Sequence, residues 1–108
     1  HDGSCHGYSS CLHVQNSTIH DGSCHGDHGH CCEYVKNAII GKGSCNGGHN
    51  GGSCAGLENK KIGNNSCNNG KDTNGGVCYQ CKHNVPDNAC NQGITDDMDS
   101  NGFCNYCK

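Results

Sequence analysis

The sequence predicts an all-β, irregular fold with little or no helix: a small, disulfide-stapled, β-solenoid-like stack of about five coils. Three observations predict it. A short Gly/Asn-Ser-Cys motif recurs at near-even spacing, 13 of the 108 residues are Cys, and only 31% are hydrophobic, with one Phe and no Trp. Burying apolar surface returns roughly 25 cal/mol per Å², whereas ordering each residue costs roughly 1–2 kcal/mol of backbone entropy. The 18 Gly raise that cost. Cross-links that restrict the unfolded chain compensate for the small core. Cys usage this dense belongs to an oxidising compartment, so an extracellular or cell-surface location is expected.

The period is visible directly. His1-Asp2-Gly3-Ser4-Cys5-His6 recurs as Ile19-His20-Asp21-Gly22-Ser23-Cys24-His25, as Ile40-Gly41-Lys42-Gly43-Ser44-Cys45-Asn46, as Ile62-Gly63-Asn64-Asn65-Ser66-Cys67-Asn68, and as Val85-Pro86-Asp87-Asn88-Ala89-Cys90-Asn91. One domain of five repeats follows, at about 1–18, 19–39, 40–61, 62–84 and 85–108. Each has a fixed stem and a second Cys farther on, at 11, 31 or 32, 54, 78 and 104, across a loop that widens along the chain.

In each stem the leading Ile or Val is expected to face inward, as is the Cys five residues on. Gly3, Gly22, Gly43, Asn65 and Asn88, two before that Cys, are residues that tolerate a left-handed corner. His6, His25, Asn46, Asn68 and Asn91, directly after it, form a column able to hydrogen-bond from coil to coil. Glu33–Ile40 is long enough for two helical turns but runs straight into the next stem. Strands of three or four residues between Gly/Asn turns are the better expectation.

The stem I-G-x-x-S-C-N with a second Cys downstream resembles a Cys-rich repeat of predicted secreted and surface proteins of algae and other stramenopiles. The likeness is closest over 40–108; the first two repeats carry His at 1, 6, 20 and 25, where the later ones carry Gly or Asn. It implies extracellular surface material and no particular activity.

Pairing within each repeat predicts Cys5–Cys11, Cys24–Cys31, Cys45–Cys54, Cys67–Cys78 and Cys90–Cys104. Cys81 and Cys107, each three after a second Cys, would then pair across coils and leave Cys32 unpaired or joined to another chain. The rival is zinc: Cys78-Tyr79-Gln80-Cys81 and Cys104-Asn105-Tyr106-Cys107 are two C-x-x-C pairs, with a separation slightly beyond the usual zinc ribbon. The repeat accounts for them without metal.

Seven of the nine His lie in the first 30 residues. Stacking would bring His6 beside His25 and His1 beside His20, where neighbouring imidazoles can share a metal; exposed turn residues standing in for Asn are the plainer expectation. Asp97, Asp99 and Asn101 match the first half of a calcium loop closed by Gly102, but Lys108 stands where a bidentate Glu belongs. Asn16-Ser17-Thr18 and Asn64-Asn65-Ser66 are sequons, making Asn16 and Asn64 candidate glycan carriers.

No catalytic set stands out, since Ser, His, Asp and Cys recur as repeat positions and no G-x-S-x-G elbow is present. The chain is therefore not expected to be an enzyme. Seven Lys, no Arg and a net charge of −3 offer no track for a phosphate backbone, so nucleic acid is not an expected partner. No run reaches membrane-spanning length. His1 opens mid-stem and Lys108 follows directly on a Cys pair, so open strand edges at both ends predict end-to-end self-association. The expected role is structural, a glycosylated module of a filament, appendage or wall. The alternatives are a binding module for ice or carbohydrate, or a zinc- or calcium-binding protein.

Overall fold

A computed structural model describes residues 3–5, 11–25, 31–47, 53–69 and 76–108. Over these residues the fold is small, irregular and nearly free of helix. Three two-residue strands, β1 (Thr18–Ile19), β2 (Ile39–Ile40) and β3 (Lys61–Ile62), are followed by a single 3₁₀ turn at Asn105–Cys107. The strands form an open parallel sheet in the order β1-β2-β3, with Ile19 opposite Ile40 and Ile40 opposite Ile62. An isolated parallel bridge joins Ile62 to Val85.

The strands are shorter than expected because left-handed corners flank them. Asn37 (φ 52°) precedes β2 and Gly43 (φ 68°) follows it; Asn59 (φ 57°) and Asn65 (φ 52°) stand likewise around β3. Asn and Gly occupy this region at least cost. Each stem Cys lies there as well, at φ between 56° and 62° for Cys5, Cys24, Cys45, Cys67 and Cys90. A β-carbon makes that conformation uncommon, and here the surrounding cross-links and ladders hold it.

Consecutive stems are joined by the same backbone bonds. Cys24 N–H donates to Ser44 O (3.0 Å), Cys45 to Ser66 (2.9 Å) and Cys67 to Ala89 (3.0 Å). Gly41 N–H donates to Ile62 O and Gly63 N–H to Val85 O, both at 2.8 Å. The stems approach so closely at these two glycines that a β-carbon on either would come within 2.5 Å of the following stem's backbone.

The core runs along this direction as columns. Ile19, Ile40, Ile62 and Val85 form one, and Val35 and Leu57 extend another; Val77 and the Cys pairs complete the buried interior. Among the described residues no helix is long and apolar enough to cross a membrane.

Candidate functional site

Ser23, Ser44 and Ser66 are fully buried, which burial statistics for serine alone would not predict. Each hydroxyl donates to a carbonyl of the next stem: Ser23 to Gly41 O (2.6 Å), Ser44 to Gly63 O (2.6 Å) and Ser66 to Pro86 O (2.7 Å). The same oxygens accept from Ser44 N–H, Ser66 N–H and Ala89 N–H at 3.0–3.1 Å. Each buried hydroxyl thus has both roles satisfied, which removes the penalty for burying it.

Beside them lies the amide column. Asn46 Oδ1 accepts from His25 N–H (2.9 Å), Asn68 Oδ1 from Asn46 N–H (2.8 Å) and Asn91 Oδ1 from Asn68 N–H (3.1 Å). The Nδ2 groups of Asn46, Asn68 and Asn91 reach back to Gly22 O, Gly43 O and Asn65 O, at 2.8–3.0 Å. The rungs join side chain to backbone, not amide to amide.

Six disulfides lie along the interior: Cys5–Cys11, Cys24–Cys32, Cys45–Cys54, Cys67–Cys78, Cys90–Cys104 and Cys81–Cys107. The second pairing corrects the one expected from sequence, since Cys32 bonds to Cys24 and Cys31 is the free thiol. The reason is register. Ile40 follows Cys32 by eight residues, as Ile19 follows Cys11 and Ile62 follows Cys54. With Val85 seven after Cys78, the interval is seven or eight throughout; it was available in the sequence and selects Cys32, since Cys31 stands nine before Ile40. Cys31 instead takes the position of Ser53, and both side chains donate to Gly47 O, at 3.2 Å and 2.9 Å. Burial raises the Cys31 thiol above its ordinary pKa, against the lowering effect of hydrogen bonding with Ser53.

The zinc candidates are brought together without forming a thiolate set. Sulfurs of Cys78, Cys104 and Cys107 lie within 4.8 Å of one another, as do those of Cys54, Cys67 and Cys78. All of them are disulfide-bonded. A metal needs the deprotonated thiol, which a disulfide sulfur does not offer.

Of the calcium candidates, Asp97 and Asp99 are drawn to separate backbone groups. Asp97 Oδ1 accepts from Cys90 N–H (2.9 Å) and from the Thr95 hydroxyl. Asp99 Oδ1 accepts from Asn101 N–H and Phe103 N–H, both at 2.9 Å, and Asp99 Oδ2 pairs with Lys108 Nζ at 3.2 Å. Asp99 closes the turn that sets Met98 antiparallel to Cys104. Its carboxyl lies below its ordinary pKa, chiefly through the Phe103 N–H, with Lys108 and Asn101 N–H adding to the effect. Neither aspartate belongs to a close group of potential metal ligands among the described residues.

The two sequons differ in setting. Asn16 is an exposed left-handed corner (φ 48°) followed by exposed Thr18. Asn64 Oδ1 is a rung that accepts from Lys42 N–H (2.9 Å), and its sequon hydroxyl, Ser66, is buried. Asn64 is itself exposed, so this rung lies at the surface of the fold. Of the His candidates, His1 and His6 lie outside the described residues. The His25 ring is hydrogen-bonded to Gly3 O, and His13 stacks on Tyr34 with centroids 5.0 Å apart. The outward rank of the sheet is Thr18, Ile39 and Lys61, a mixture of three chemistries.

No protein-family model, no curated protein and no solved structure matches the chain.

Proposed function

We propose that the chain is a structural module of an extracellular or surface assembly: a short β-solenoid-like rod of five coils, cross-linked within every coil and carrying a glycan at Asn16. The observation that carries this reading is where the polar side chains go. Ser23, Ser44, Ser66, Asn46, Asn68 and Asn91 are the groups an enzyme or a metal protein would turn toward a ligand. In this chain they hydrogen-bond the backbone of the neighbouring stem. The Cys, too, are oxidised in six pairs, which suits an oxidising exterior. The parallel register of successive stems supports the coil description. The resemblance to surface repeats of algae and other stramenopiles points the same way.

The test is extraction of native material from the producing cells, with intact mass measured before and after reduction and deglycosylation. Recovery in the insoluble extracellular fraction, with the mass gain of six reduced disulfides and the loss of one glycan from Asn16, is expected. Recovery only as a reduced or freely dispersed 11.3 kDa monomer would overturn the reading.

A further inference from the structure

We infer that the fifth coil is a stop: its outer face is built so that a second copy of this chain cannot add a coil to it in register. This rests on the coil description proposed above and corrects the expectation of an open edge at this end. The second, third and fourth coils each send the same four donors to the coil that follows. In the fifth coil every one of the four is deleted or satisfied within the coil.

The first is the N–H of the residue after the leading Ile, which is His20, Gly41 or Gly63. Gly41 and Gly63 each donate it forward, and each needs the absence of a β-carbon because the next stem's backbone would lie within 2.5 Å of one. The register that sets Ile62 opposite Val85 puts Pro86 at this position. Proline has no N–H to offer, whereas His20, Gly41 and Gly63 each donate theirs to the following stem. The second is the serine hydroxyl, which Ser44 and Ser66 donate forward. Its counterpart, Ala89, has none to leave unpaired.

The third is the cysteine N–H. Cys45 and Cys67 send it to Ser66 O and Ala89 O, whereas Cys90 sends it to Asp97 Oδ1 at 2.9 Å. The fourth is the amide-column N–H. Asn46 and Asn68 send it to the Oδ1 of the next asparagine, whereas Asn91 sends it to Thr95 Oγ1 at 2.9 Å, in the seat the next asparagine oxygen would take. Thr95 in turn donates to Asp97, so the two caps support each other.

An unpaired strand edge invites addition of another chain, and proline, caps and covering loops are the means by which β-proteins prevent it. Terminal repeats of stacked folds need such departures from the repeat pattern. Asp97 and Thr95 hence do for this edge what N-cap side chains do for a helix, with side-chain oxygens replacing the carbonyl and amide of an absent neighbour.

The experiment uses the whole oxidised chain. Amide hydrogen exchange of the monomer should show Cys90 and Asn91 N–H protected to about the degree of Cys67 and Asn68. Asp97→Ala should lower protection at Cys90, and Thr95→Ala at Asn91, each by about tenfold or more, with Cys67 and Asn68 unchanged. Sedimentation velocity then compares wild type with the variant Pro86→Gly/Ala89→Ser/Thr95→Ala/Asp97→Ala. Wild type should form no linear oligomer through this face, and the variant, if folded, should elongate with concentration. Unprotected Cys90 and Asn91 amides in the wild-type monomer would overturn the inference without recourse to the multiple variant. So would wild-type oligomers in which the environment of those two amides changes on association. Neither measurement depends on where the protein resides, so a reduced intracellular form would defeat the proposed function and leave this result standing.

Discussion

Three residues past Cys32 and Cys54 stand Val35 and Leu57, both fully buried, while three past Cys78 and Cys104 stand Cys81 and Cys107, joined to each other with Cα atoms 4.3 Å apart. One interior column is therefore aliphatic at one end and covalent at the other. The same slot can be filled by packing or by a bond, and the choice sets how each end should respond to reduction, truncation and acid.

The largest expected effect comes from removing all the cross-links. Seven aliphatic side chains larger than Ala are buried among the described residues: Ile19, Val35, Ile40, Leu57, Ile62, Val77 and Val85. Against them, a disulfide closing a loop of about 15 residues is worth roughly 3 kcal/mol on the chain-entropy view. Full reduction at room temperature should abolish the cooperative melt followed by circular dichroism. A β spectrum and melt that persist in excess reductant would mean that the aliphatic columns and polar ladders suffice.

Next comes the aliphatic half of the column. Leu57→Ala should cost about 2–5 kcal/mol, read as a lowered urea midpoint, because the stacked backbones around it cannot collapse into the space. The covalent half should tolerate a change of chemistry better. Cys81→Val with Cys107→Val should lose about 2 kcal/mol and keep the fold, since valine restores the residue type found at position 35. The Ser pair at the same sites should be clearly worse, as it buries two hydroxyls without partners. A Ser pair as stable as the Val pair would show that the slot is not part of the apolar column.

These comparisons also mark what the sequence made legible. The head column of Ile19, Ile40, Ile62 and Val85 and the corners at Gly3, Gly22, Gly43, Asn65 and Asn88 follow from residue type, because β-branching and left-handed tolerance are local properties. The buried Ser ladder was not legible: a small polar residue beside a Cys reads equally well as exposed, and only the position of the next stem's carbonyl decides. The corners at Asn16, Asn37 and Asn59 escaped because a sequon and two unremarkable loop positions masked a common spacing. The choice between Cys31 and Cys32 was legible, but only by counting toward the following Ile and not from the preceding Cys. The caps at Thr95 and Asp97 were hidden for another reason. Alternating oxygen side chains suit a cation and a pair of backbone N–H groups alike.

A smaller effect separates the ends by pH. The Asp99 carboxyl is held below its ordinary pKa by the Phe103 and Asn101 N–H groups and by Lys108. A carboxyl depressed on folding contributes stability that is present above its unfolded pKa and lost as pH falls through its folded one. Acidification below about pH 4 should loosen the 97–104 turn first, seen as movement of the Phe103 and Asn101 amide resonances, while Cys45 and Cys67 amides hold. Asp99→Asn should flatten that titration. Resonances of the turn that do not move down to about pH 2 would count against the carboxylate as its clasp.

The smallest effect is expected at the free thiol. Cys31→Ser places a hydroxyl where Ser53 already bonds Gly47 O in the next coil, so the melting temperature should change by no more than about 2–4 °C. Labelling completes the test: one thiol should react in the denatured, unreduced chain and none in the native one. Rapid native labelling would place the thiol at the surface.

The disulfides that close each coil span 6, 8, 9, 11 and 14 residues in chain order. The coil on either side keeps its register while the enclosed segment more than doubles, because the bond fixes only the two ends and lengthening a closed loop costs just about 0.6 kcal/mol per doubling. Span length and stem register are thus separable. What lies inside a span is not all free, since Asn46, Asn68, Asn91, Thr95 and Asp97 fall between paired Cys and are bound to the stems. Length can therefore be added between the clasps only at positions that serve neither a ladder nor a cap, and those positions are where such a chain can change without disturbing its neighbours.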